Sequence, residues 1–187
     1  MKPLFLVVLV GLIAGRCWSA DSKVPDLAEL KLAAERGDPK AQYAYGKTCR
    51  SHVQFGEAEN WFRLAATQGL PEAEHAYGEI LMLQTSKTVN GKTVYRKPDP
   101  AQAVSWYVKA VNHGYKPALL SLAHCYKDGK GVKQNNVEAY KYYTAADKLG
   151  DLTAKIYRDS LILKMSSAEV QQGQNAAEVV LASFPKK

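Results

Sequence analysis

Between residues 26 and 185 the apolar side chains recur with helical rather than strand spacing. From Pro117 to Gly150 the pattern is plainest: Leu119, Leu122, Ala123 and Tyr126 fall at i, i+3, i+4 and i+7, and after a glycine-rich turn Ala139, Tyr142, Tyr143 and Ala146 do the same. The spacing predicts two helices, each with one apolar face. Such a pair buries too little surface to stand alone, so it needs neighbours of its own kind.

The neighbours are marked by punctuation. Pro25 and Asp26 open a short helix through Leu27, Leu30, Ala33 and Ala34, with Asp26 and Glu29 at capping-box spacing. Gly37 ends that helix, Asp38 caps the next and Pro39 takes its first position; Gly69 before Pro71, Gly114 before Pro117 and Gly150 before Asp151 repeat the arrangement. The alanines four places after these glycines, Ala41, Ala73, Ala118 and Ala154, lie 32, 45 and 36 residues apart. Units are therefore expected near 38–69, 70–114 and 115–150, with a C-terminal cap over 151–185. Gly46, Gly78 and Ala123 remove bulk where helices approach closely, while Trp61, Trp106 and Tyr142 fill wider gaps. Partial exposure is left open for the residue after each of these aromatics, Phe62, Tyr107 and Tyr143. Gly129 permits a left-handed helix end, and Asn135 and Asp99 cap the helices that follow their turns. Ser166 and Glu169 predict a capping box, and a last helix through Val170, Ala177, Val180, Leu181 and Phe184 covers the end of the stack.

The run Ala118, Leu122, Tyr126, Gly129, Gly131, Val132, Asn135, Ala139, Tyr142, Tyr143, Ala146 and Gly150 resembles the Sel1-like repeat, a relative of the tetratricopeptide repeat. Partial copies carry the resemblance over roughly residues 26 to 183. It implies an all-α, right-handed solenoid of about three to four helix-turn-helix repeats. Three departures stand out: Ala123 replaces the usual glycine, the first unit lacks the G-x-G-V turn, and Arg158 and Asp159 stand where Leu-Gly is the rule.

The 45-residue unit is long because of an insertion at residues 84–98. Two stretches, Lys87-Thr88-Val89 and Lys92-Thr93-Val94, flank Asn90-Gly91, which predicts a small β-hairpin. It carries Lys87, Lys92, Tyr95, Arg96 and Lys97 and no acidic residue before Asp99. An insertion in a repeat protein often lies on a working surface.

Composition alters the picture mainly at the N-terminus. Lys2 followed by an apolar run from Leu4 to Ala14 is too short to span a bilayer and reads as a secretory signal peptide, residues 1–20, leaving a repeat domain at 21–187. Its cleavage point is fixed only to within about two residues, since Trp18 or Cys17 falls at the minus-three position. Arg16 before Cys17 disfavours lipid attachment. Periplasm or secretion is the expected location, with no stable membrane insertion after cleavage and nucleic acid disfavoured as a partner. Loss of Lys2 and Arg16 leaves a net charge of +5, which suits an acidic protein partner or an anionic envelope surface, or serves only to keep the protein soluble. Cys49 and Cys125 sit two repeats apart, too far for a disulfide with each other.

Reacting groups are scarce. His52, His75, His113 and His124 have no ligand spacing, so neither a metal nor any other cofactor is expected. Neither a G-x-S-x-G elbow nor a phosphate loop occurs, and the repeat accounts for Gly129 and Gly131 as turn residues. Glu57, Glu59, Asp147 and Asp151 read as surface carboxylates. No enzyme is expected. Cysteine-rich relatives are described as β-lactam-binding, with two cysteines bridging the helices of each unit; that pattern is missing here, which disfavours a hydrolase or antibiotic-binding role. The resemblance implies a binding protein of the bacterial envelope, either an immunity factor that neutralises a periplasmic toxin such as a lipase, or an adaptor in envelope assembly, signalling or host contact. The expected contact residues are Lys87, Lys92, Tyr95, Arg96 and Lys97 of the hairpin, with Tyr43, His75 and Leu119 as exposed positions of first helices.

Overall fold

The computed structural model describes residues 26–90 and 92–184, so the leader at 1–20, Gly91 of the hairpin turn and residues 185–187 lie outside the described residues. Along the chain run α1 (Leu27–Glu35), α2 (Pro39–Ser51), α3 (Phe55–Thr67), α4 (Pro71–Leu81), the strands β1 (Thr85–Val89) and β2 (Lys92–Arg96), then α5 (Pro100–Asn112), α6 (Pro117–Asp128), α7 (Asn136–Lys148), α8 (Leu152–Ile162) and α9 (Ser167–Ala182). The helices pair as α2 with α3, α4 with α5 and α6 with α7, each pair stacking on the next. One continuous core runs through the stack, from Phe62 and Ile80 to Leu122, Tyr143 and Phe184.

Helix starts obey the sequence. Asp38 Oδ1 accepts from the backbone N–H groups of Lys40 (2.8 Å) and Ala41 (3.0 Å), and Asn135 Oδ1 accepts from Val137 and Glu138. Asp151 does the same for α8, and Ser166 with Glu169 forms the expected capping box. The box expected at Asp26 and Glu29 is missing: Asp26 caps α1 without a side-chain hydrogen bond. That first turn is exposed, where water satisfies the same donors.

The aromatic pairs pack in the opposite sense to the one left open from the sequence. Phe62, Tyr107 and Tyr143 are buried, whereas Trp61, Trp106 and Tyr142 are half-buried. The small residues decide it: a Cβ on Gly46 would lie 2.8 Å from the Phe62 ring, and one on Gly78 would lie 2.5 Å from the Tyr107 ring. The first members lie instead against a tyrosine of their own repeat, Trp61 on Tyr45 at 5.4 Å, Trp106 on Tyr77 at 5.3 Å and Tyr142 on Tyr126 at 5.8 Å. Cys49 and Cys125 are both buried and free.

Candidate functional site

The hairpin is antiparallel with Val89 opposite Lys92 and Thr85 opposite Arg96, the register of a two-residue turn, and Asn90 holds a positive φ of 50°. Its root is tied to α3. Thr85 Oγ1 and Arg96 Nε both donate to Glu59 Oε2 at 2.9 Å, and Arg96 Nη2 donates to the carbonyl oxygen of Ile80 at 2.8 Å. Arg96, expected among the contact residues, thus spends its guanidinium inside the molecule. Glu59, expected as a solvated surface carboxylate, is the acceptor that fixes the root. Lys92 beside the turn, Tyr95 (68% exposed) next to the root and Lys97 just past it are exposed; Lys87 is placed by the strand register, opposite Val94.

Tyr43 and His75 belong to a second group, on the first helices. Arg50 Nη1 donates to Glu79 Oε2 at 2.8 Å, bridging α2 and α4, while the Tyr43 and Phe62 rings lie 5.8 Å apart. His75 sits 5.3 Å from both Tyr107 and Tyr115, with its Nε2 2.8 Å from Ser121 Oγ. The hairpin packs on α3 and His75 on α5 and α6, so the expected contact residues form two groups.

Leu119 joins neither, since it is 0% exposed. In repeat register it matches Gln42 and Glu74, both also buried; the counterpart of Tyr43 and His75 is Leu120. Glu74 is a buried carboxylate that sequence reasoning missed, and its Oε2 lies 2.8 Å from His113 Nδ1.

Between α6 and α8 lies an open cleft of about 580 Å³, lined in part by Tyr107, Ser121, His124, Cys125, Lys127 and Tyr157. Its polar groups are poorly suited to covalent chemistry. Burial pushes the Cys125 thiol up to about 11, which keeps it protonated, and burial holds His124, and His75 behind Ser121, below the usual imidazole range. Ser121 and His75 have the spacing of a nucleophile and base. Yet Ser121 lies inside α6, where backbone N–H groups are spent within the helix, so the helix offers no oxyanion donors. Among the described residues no cluster of three or more His, Cys, Asp or Glu side chains comes together, and no helix is long and apolar enough to cross a membrane.

What the arrangement offers is side-chain surface. The Sel1 repeat matches residues 39–70, 71–115 and 116–151. The chain belongs to the Sel1 repeat family. The helical pairs and the inserted hairpin are thus a Sel1 solenoid with one enlarged connection. A solved protective antigen from uropathogenic Escherichia coli strains, which displays an SLR fold, superposes with a TM-score of 0.73 at 26% identity over 84% of this chain. The present chain spans 33% of that antigen's length. A Sel1 repeat protein from Oxalobacter formigenes matches 72% of this chain and 98% of its own at 29% identity, with a TM-score of 0.56. Curated proteins yield no match. Sel1 repeats generally serve as protein-interaction scaffolds, and their fold is typically non-enzymatic.

Proposed function

We propose that this Sel1-repeat chain is an exported, non-enzymatic binding protein that engages an acidic surface of another protein, acting as an immunity-type inhibitor of a toxin, such as a lipase effector, in the periplasm. The observation that carries the reading is the hairpin. It is rooted by Arg96 and Glu59, so its exposed Lys92, Tyr95 and Lys97 are carried on backbone already ordered before binding, and no carboxylate lies between residues 84 and 98 to compete. The first-helix group around Tyr43 and His75 offers a second contact area.

The test is capture of partners from envelope extracts with the processed chain, beside Tyr95→Ala and a Lys92→Ser/Lys97→Ser variant that leave Arg96 in place. A stoichiometric partner lost in both variants supports the hairpin, and inhibition of that partner's hydrolytic activity by the wild-type chain supports the immunity role. A partner held equally by all three chains sinks the hairpin reading. The relative that is a protective antigen favours one second reading, an adaptor in host contact. In that case the captured partner has no toxic activity to inhibit.

A further inference from the structure

In the three Sel1 repeats each first helix is covered by a second helix. Gly46 lies under Phe62 and Gly78 under Tyr107, and Ala123 at the same position is buried. The helix α8 opens a fourth unit, yet α9 packs along α7, and a polar cleft lined by Arg158, Ile162, Gln171 and Gln174 separates it from α8. The face of α8 that a second helix would cover is therefore open. Asp159 occupies the position of Gly46, Gly78 and Ala123, and Lys155 that of the buried Gln42, Glu74 and Leu119; both are exposed.

This open face is not an ordinary solvated one. Leu152, Ile156 and Leu163 are 76%, 69% and 86% exposed and, with Asp159, follow i, i+4, i+7 and i+11, one stripe on the helix. A second helix of the kind used elsewhere in the stack does not fit, because its large aromatic would bury the Asp159 carboxylate against an apolar ring. A second α8 does fit. Antiparallel pairing about a two-fold axis near residue 157 sets Leu152 against Leu163 of the other copy and brings Lys155 within one residue of opposing Asp159 of the other copy, within the reach of its long side chain, each twice. Asp159 Oδ1 already accepts from Arg158, at 3.0 Å from Nε, which leaves Oδ2 for the lysine. Among the described residues Lys155 has no acidic partner within its own chain.

We propose that the chain forms a two-fold dimer through α8, with Leu152–Leu163 contacts at its two ends, Ile156 near the axis and two Lys155–Asp159 pairs fixing the register. One helix per copy buries less than the roughly 800 Å² per partner of a standard interface, so the dimer is expected to dissociate at about micromolar concentration.

Sedimentation equilibrium of the purified chain over low to high micromolar loading tests this, with thermal unfolding as a control for folding. Lys155→Asp and Asp159→Lys alone are each expected to weaken self-association about tenfold, and the combined exchange to restore it, because the pair is rebuilt with its charges reversed. Ile156→Lys with Leu163→Lys is expected to leave only monomer. A wild-type chain that is monomeric throughout overturns the proposal. So does a dimer indifferent to the two lysines, which places the contact on another face. A combined exchange that fails to restore association overturns the antiparallel register.

Discussion

The second and third repeats join their first and second helices in two ways that share one foundation. In the third repeat the connection, residues 129–135, is a short glycine turn, and Gly131, at φ 75°, lies directly on the backbone of Pro100 and Ala101 at the start of α5. In the second repeat it is the hairpin, whose root lies on Glu59 of α3. Each connection thus rests on the second helix of the preceding repeat, one through a missing side chain and the other through an ion pair. Backbone contact leaves nothing over for a partner. A side-chain latch holds the root and frees the far end, which is what a binding insertion needs.

The largest expected effect lies at the short turn. Gly131→Ala places a Cβ on the Pro100 carbonyl oxygen and forces a left-handed conformation on a side-chain-bearing residue, so a loss of about 3 kcal/mol is expected in urea unfolding. A loss below about 1 kcal/mol would mean that the turn swings away from α5 at little cost, and the shared foundation would be gone. Next comes the latch. Arg96→Ala removes the donors to Glu59 and to the Ile80 carbonyl, and about 1.5 kcal/mol is expected because the ion pair is only partly shielded from water. Hydrogen exchange separates this from a core defect: the β1 and β2 amides should exchange faster while those of α6 and α7 keep their protection.

The first repeat offers a third solution that sharpens the contrast. Its connection has no glycine turn, and Val53 takes φ 63° while 71% exposed. A β-branched residue in that region costs about 1–2 kcal/mol. Val53→Gly is therefore expected to raise stability by about 1 kcal/mol, measured as a shift in the urea midpoint. An unchanged midpoint would show that the flanking residues relax the strain.

How much of this was legible in the sequence depends on what kind of residue carried the information. Helix starts were readable because Asp38, Asn135 and Ser166 act locally, on donors two or three residues away. The hairpin register followed from Asn90-Gly91 for the same reason. Positions that depend on the neighbouring repeat were harder. Leu119 was grouped with Tyr43 and His75 but stands one position off their register; its own mates Gln42 and Glu74 are polar and buried like it, with partners at Ala34, Gln68 and His113. The order of burial within the aromatic pairs stayed open because a one-residue offset separates the two faces, and only the contact with Gly46 or Gly78 distinguishes them. The latch was invisible because Glu59 and Arg96 stand 37 residues apart, across a helix and a strand. Asp159 was noticed as a departure, and its meaning depends on where α9 packs.

The smallest effect on stability is expected at the exposed lysines of the hairpin, and there the comparison between the two connections has its functional test. Lys92 and Lys97 are exposed and, among the described residues, make no ion pair, so Lys92→Ser with Lys97→Ser should change unfolding free energy by less than about 0.5 kcal/mol. The same number of charges removed from the third-repeat turn region, Lys127→Ser with Lys130→Ser, takes away contacts with Asp128 and the Tyr157 ring. That pair should cost about 1 kcal/mol while leaving partner capture intact. Opposite behaviour, with capture lost at the turn and kept at the hairpin, would move the binding surface to the cleft between α6 and α8 and leave the hairpin as a tolerated insertion.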